Sequence, residues 1–125
     1  LEKTIQNEIL AKINSLRDCR VFRNNVGMGF AGTVLAEHDG IVVLKNYRRI
    51  QFGLQKGSGD LIGFKSMTIT PDTVGKKVAV FTSFEIKTPR SKSTGAQRAW
   101  LFFINHMGGI AAEVHSVDEA KRALL

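Results

Sequence analysis

The 125-residue chain has one cysteine, two prolines, one tryptophan and one tyrosine, and no long uninterrupted apolar run. Each scarcity removes a class. A lone Cys19 forms no internal disulfide and builds no cysteine-rich zinc cluster. A reducing cytoplasm is therefore the expected location. No stretch of about 18 apolar residues is present to cross a bilayer as a helix, so no membrane partner is expected. The N-terminal residues show no basic region followed by an apolar run, the pattern of an export signal. His38, His106 and His115 lie far apart in the sequence and lack H-x-x-x-H or H-x-N-H spacing, which speaks against a histidine-based metal site or nuclease. There is no repeat, low-complexity tract or interdomain linker.

Acid is scarce as well. Eleven Asp and Glu face 18 Lys and Arg, leaving a net charge of +7. Such a surface attracts polyanions, nucleic acid above all, although a generic basic surface is the alternative. The apolar share of 43% and charged share of 23% are those of a globular protein. The length suits one domain over residues 1–125.

Ile5, Ile9, Ile13 and Leu16 recur at helical spacing, which predicts an amphipathic helix over residues 2–17. On it Glu2 falls on the core-facing side, and Glu8 lies about 100° from the centre of the stripe. From Cys19 to Leu54 the pattern becomes β-like, in the runs "CRVFRNNV", "AGTVLAEH" and "IVVLKNY". Asp39-Gly40 between two of them is a hairpin signal. A second hairpin is expected where "KSMTIT" meets "KKVAVFTSFEIK" across "PDTVG". Glu85 and Lys87 then close a long strand and share a face, with Ile86 pointing away. "GAQRAWLFFINHM" reads as a helix stopped by Gly108-Gly109, and Trp100, Phe102 and Phe103 on it are expected in the core. "IAAEVH" reads as a strand, and Ser116 with Glu119 as the capping box of a last helix reaching about Leu124. The order is that of a small α/β domain.

Asp60 in "KGSGDLIGF" opens an apolar run, where an acid needs compensation. Two such acids on neighbouring strands repel unless a divalent cation lies between them. Mg²⁺ takes oxygen ligands and keeps several waters. Asp60 and Glu85 can supply carboxylates, and the backbone carbonyl of Ile86 a third oxygen. Lys87 can hold or deprotonate a water beside a phosphate and stabilise the transition-state charge. Each element has a plainer reading: the G-x-G as a tight turn, and Glu-x-Lys as a same-face ion pair. Arg48, Arg49, Lys56, Arg90, Lys92 and Arg98 crowd these motifs in sequence, as phosphate contacts or as solvated charge.

In "EKTIQNEIL", "FRNNVG", "KGSGDLIG", "FEIKTPRSKSTGAQRAW" and "GGIAAEVHSVDEAKRAL" the chain resembles the virus-type replication-repair nuclease (VRR-NUC) domains. These belong to the restriction-endonuclease-like, PD-(D/E)xK superfamily. The likeness covers all but inserted hairpins around residues 30–47 and 66–78. It implies a restriction-endonuclease-like core, a central mixed β-sheet flanked by helices, and one metal-dependent active site. On matching positions its catalytic roles fall on Glu2, Asp60, Glu85, Lys87 and Gln97. Metal ligation falls on Asp60, Glu85 and the Ile86 carbonyl, with Glu2 as a further ligand. The cofactor implied is Mg²⁺, for which Mn²⁺ substitutes. Stand-alone phage members imply a homodimer that cuts branched DNA, the four-way Holliday junction in particular. The alternatives are a flap or other branched-DNA nuclease, a restriction-type or tRNA-processing nuclease, and a non-catalytic basic DNA-binding module. The inserted hairpins are expected to serve as a dimer contact or a DNA-embracing arm.

Overall fold

In the computed structural model, which describes residues 1–125, the chain is α/β. Helix α1 (Glu2–Asn14) leads to β1 (Cys19–Arg23), β2 (Gly27–His38), β3 (Ile41–Phe52) and β4 (Leu61–Lys65). A 3-10 turn (Pro71–Thr73), β5 (Thr82–Ile86), α2 (Gly95–His106), β6 (Ile110–Val114) and α3 (Val117–Ala123) follow. The strands form three two-stranded ladders, β1 with β4, β2 with β3 and β5 with β6. Two compact units result. One holds Leu1–Asn14 and Val21–Ile62, and the other Ser15–Arg20 and Gly63–Leu125.

In the first unit, β2 and β3 make an antiparallel hairpin of twelve residues per strand. Its turn is Asp39-Gly40, both at positive φ (50° and 74°), the backbone that a primed hairpin turn requires and Asp-Gly readily supplies. The ladder slips between Ala31 and Thr33 and again between Val34 and Ala36. The first slip puts an extra residue into β3 beside Asn46, whose φ is 53°. Helix α1 is shorter than its periodicity predicts. Asn14 ends it by pairing with Val21, its side chain accepting from Val21 N at 2.8 Å and donating to Val21 O at 3.1 Å. The helix buries no residue, and Ile5 and Ile9 are about half exposed. Glu2, expected on a core-facing side, is exposed at the first turn, where a carboxylate suits the helix dipole.

The second unit holds every buried apolar residue: Ile104, Ala111 and Val114. Strands β5 and β6 run parallel, Thr82 opposite Ile110 through Ile86 opposite Val114. Helix α2 packs on this pair. Asn105 fixes its end by accepting from Ala111 N (3.0 Å) and donating to Ala111 O (2.7 Å). Gly109 follows because a Cβ there would stand 2.7 Å from both the Ile104 side chain and the Phe81 carbonyl. Phe64, Phe81, Trp100 and Phe103 form an aromatic cluster with centroids 5.3–6.5 Å apart. Phe102 departs from its expected core position. It is 73% exposed and stacks on His106 one turn later.

The second predicted hairpin is corrected. Residues 66–70 and 76–81 form no strand pair, and "PDT" is a 3-10 turn. The alternating pattern of "TITPDTVGKKVAVF" is real, but Ile69 and Val78 are exposed, so no buried face fixes a register there.

Candidate active site

Strand β5 ends at Glu85-Ile86, and Lys87 N continues the ladder by donating to Val114 O at 3.0 Å. Period 2 puts Ser83, Glu85 and Lys87 on one face, and α2 crosses that face. Trp100 Nε1 donates to Ser83 Oγ at 2.9 Å, and Gln97 Nε2 donates to Glu85 Oε1 at 2.7 Å. Helix residues three apart thus meet strand residues two apart. Lys87 Nζ lies 3.1 Å from the same Glu85 Oε1, with the lysine side chain 13% and the glutamate 28% exposed. The ion pair is therefore mostly withdrawn from solvent, unlike the exposed pairs that contribute little.

Gln97 does two things at once. Its Oε1 accepts from Thr94 N at 2.8 Å while Thr94 Oγ1 accepts from Gln97 N at 3.1 Å, a reciprocal capping box at the start of α2. With its oxygen committed to the backbone, the amide must turn its NH₂ toward Glu85. The T-x-x-Q spacing in the sequence carries this signal.

Two further residues were not legible as part of this face. Glu113 on β6 is the register partner of Glu85, so two carboxylates stand side by side on one face. Like charges directly opposite repel, and each has its own compensation. Lys87 and Gln97 serve Glu85, whereas Glu113 accepts from the buried Ser93 hydroxyl and lies 3.5 Å from His115 Nε2. Ser93 adjoins the Thr94 cap, so Glu113 anchors the loop from which Gln97 departs. Arg98, expected on phosphate, donates to the Ser93 carbonyl and braces the same loop. Arg90 and Lys92 on that loop are exposed. At the edge of this face His115 donates its backbone N–H to Glu119 (2.7 Å) and places its Nδ1 3.0 Å away. The backbone bond first, then the ring, holds the Glu119 carboxyl below its ordinary value.

Asp60 and Glu2 belong to the first unit. Asp60 immediately precedes β4 and is exposed, so the compensation expected for an acid at an apolar run is not needed, and β4 pairs with β1 rather than with the strand of Glu85; the turn before Asp60 is held by the buried Asn24. Asn24 Nδ2 donates to Ser58 Oγ (2.7 Å) and Gly59 O (2.8 Å), and its Oδ1 accepts from Leu54 N (2.8 Å). Its own N–H donates to the Asp60 carbonyl at 2.9 Å. Arg48, Arg49 and Lys56 are exposed in the same unit, Arg48 opposite Ala31 and Arg49 opposite Phe30. Partial burial first, then a 3.5 Å contact to Asp18, pushes the Cys19 thiol up from its ordinary value.

For a hard cation the second unit offers the Glu85 carboxylate and the Ile86 carbonyl at one strand end. That set suits Mg²⁺, which is held by one or two carboxylates and completes its shell with waters and substrate phosphate. No three His, Cys, Asp or Glu side chains are grouped to hold a metal by themselves. No helix is long and apolar enough to cross a membrane. An apolar cleft of about 160 Å³, lined by Phe64, Met67, Val80 and Ile104 among others, contains none of the predicted site residues. Comparison with known proteins gives no matching family model, no matching curated protein and no matching solved structure.

Proposed function

We propose that the chain is a metal-dependent, structure-specific DNA endonuclease with a restriction-endonuclease-like core, acting as a homodimer on four-way junctions. The observation that carries this reading is the convergence of Lys87 and Gln97 on one oxygen of Glu85 at a strand end. The sequence likeness to VRR-NUC domains and the charge of +7 support it. Glu85 and the Ile86 carbonyl would hold Mg²⁺; Asp60, with Glu2 as a further ligand, is assigned to the same role by the sequence likeness alone. Bound there, the ion would supply Lewis-acid and water-activating chemistry.

The remaining work falls to the protein. Gln97 keeps the Glu85 carboxylate in one orientation, and Glu113 through Ser93 keeps the Gln97 loop in place. Lys87, paired with Glu85, directs its charge at the phosphate oxygens and holds the attacking water by a hydrogen bond. A phosphorus–oxygen bond to water forms as the bond to the 3′ oxygen breaks, and the water's proton passes through solvent to the 3′ oxygen, leaving a 5′ phosphate and a 3′ hydroxyl. Arg48, Arg49, Lys56, Arg90 and Lys92 contact flanking phosphates. A two-fold dimer offers two sites to a junction that is itself nearly two-fold.

A second reading, a basic DNA-binding module without catalysis, rests on the charge of +7 alone. Labelled four-way junction, flap and linear duplex incubated with Mg²⁺ or with chelator separate the two. Paired, Mg²⁺-dependent nicks in the junction support the nuclease. Binding of all three with no cutting establishes the module instead.

A further inference from the structure

Residues 66–81 form an open loop of the second unit, and its two ends are pinned. Ser66 N donates to Asp18 O at 2.7 Å and Ser66 Oγ donates to Met107 O, while Phe81 O accepts from Ile110 N at 2.9 Å. The far end is closed by the 3-10 turn, where Thr73 Oγ1 accepts from Thr70 N (3.0 Å) and donates to Thr70 O (2.8 Å). Between these ends residues 67–69 and 77–80 run without turn or bend, and none of their backbone N–H groups bonds within the chain. Of their carbonyls, Val80 O alone has a partner, the Thr82 hydroxyl.

Both arms line the apolar cleft of about 160 Å³, together with Phe64 and the buried Ile104. Met67 and Ile69 on one arm, and Val78 and Val80 on the other, are two residues apart and so share the cleft side of straight backbone. They are 47–79% exposed, which leaves the cleft open to an occupant. An apolar cavity of about 150 Å³ admits one benzene ring, so this cleft has room for one large side chain. A helix, about 10–12 Å across, does not enter it. Straight backbone with exposed, unbonded N–H and C=O groups is instead a template for a further strand.

We propose that the cleft receives an extended peptide segment of another protein, which pairs its backbone with residues 77–80 and inserts one large apolar side chain between the arms. In this mode main-chain bonds supply affinity and the pocket for a side chain supplies specificity. A small apolar solute would fill the cavity and leave the N–H groups of both arms unmet. Nucleic acid would bring phosphates against an aliphatic lining. The rim also sets the charge of the segment. Lys65 lines the cleft, and Lys76 and Lys77 lead into the second arm, all three exposed, whereas the one acid of the loop is Asp72 in the turn. Acidic residues on either side of the apolar anchor complement that rim. None of the proposed metal or phosphate residues lines the cleft, so this surface does not rest on the nuclease reading.

The test is to pan a random peptide library against the purified chain, synthesise the recovered peptides, and follow their binding by fluorescence anisotropy and by amide hydrogen exchange of the chain. The expected peptides carry one Phe, Trp or Leu between acidic residues and slow exchange at residues 77–80. Val80→Glu should weaken their binding at least about 30-fold, the loss of one hot-spot contact, with an unchanged far-UV spectrum. Lys76→Glu with Lys77→Glu should weaken it several-fold and flatten its salt dependence. If Val80→Glu fails to fold, the exposed lysine pair and the wild-type exchange data still decide. Recovery of no peptide overturns the proposal, as does a recovered set that leaves exchange at residues 77–80 unchanged. Two further results overturn it by naming another occupant: indole binding in the cleft where no peptide binds, and protection of the same amides that rises with the concentration of the chain alone.

Discussion

Glu85 and Val34 both sit on strands, yet their surroundings are opposite. Around Glu85 almost every polar atom has a named partner, contributed from β5, β6, α2 and the loop before α2. Around Val34 apolar side chains lie half exposed on a ribbon with two unpaired edges. A polar cluster fixed by helix caps and strand register is arranged to hold a geometry. An apolar ribbon with two unpaired edges holds no such geometry. Substitutions at Glu85 and its partners should therefore alter chemistry, whereas Val34→Ala should leave it near wild type.

The largest effect is expected at Glu85. Glu85→Gln should reduce metal-dependent cutting by on the order of 10³-fold, the several kcal/mol that a metal centre contributes. DNA affinity should stay within a few-fold, because no phosphate-binding cation is lost. Asp60→Asn should behave alike, and near wild-type cleavage by either variant would break the site assignment. Next comes Lys87→Ala, expected to cut about 10²-fold more slowly, the lower range for a positioned acid or base. Calorimetry should find Mn²⁺ affinity kept; its collapse would make the lysine a structural counter-ion.

Asn24→Ala sharpens the comparison from within the first unit. It strips partners from several groups around the turn before Asp60, and each buried group left unpaired costs about 1–3 kcal/mol. A clear fall in melting temperature is expected. Thr94→Ala removes one side of the capping box, for a loss of about 1 kcal/mol. Gln97 keeps the bond its Oε1 accepts from the residue 94 backbone N–H and so stays turned toward Glu85, and the cutting rate should remain near wild type while stability falls.

The smallest effect concerns Glu119. Its carboxyl is held below the ordinary value of 4.5 by His115, so the folded state prefers it ionised. That contribution is complete above the ordinary value and disappears as pH falls through the lowered one. Glu119→Gln should therefore melt slightly earlier than wild type at neutral pH, with the difference vanishing in acid. A difference that grows on acidification would contradict the hydrogen-bond assignment.

The sequence was legible where structure is local. Asp39-Gly40 marks its turn, Gly108-Gly109 ends α2, and Ser116 caps α3 by accepting from Glu119 N, although the expected capping box is only half formed because the Glu119 carboxylate accepts from His115 N instead of Ser116 N. The shared face of Glu85 and Lys87 follows from strand period alone. Less legible were pairings across long separations. Nothing in "RSKST" shows that Ser93 reaches Glu113, because that contact depends on β6 lying parallel to β5. Asn24 reads as one of two asparagines in "RNNV" until the turn at Ser58 and Gly59 closes on it. The alternation over residues 66–81 suggests a hairpin, but pattern without a buried face does not pair strands. The helical spacing in α1 predicts the helix, but its stripe does not mark a covered face: Ile5, Ile9 and Leu16 are 40–47% exposed, and Leu16 lies beyond the helix end.

Anomalous diffraction at the manganese edge, from crystals grown with Mn²⁺, tests the central claim most directly. The account predicts a peak within coordination distance of the Glu85 carboxylate and the Ile86 carbonyl, absent from Glu85→Gln crystals. No peak at Glu85 in manganese-containing crystals, with Lys87 and Gln97 still closed on its carboxylate, would contradict it.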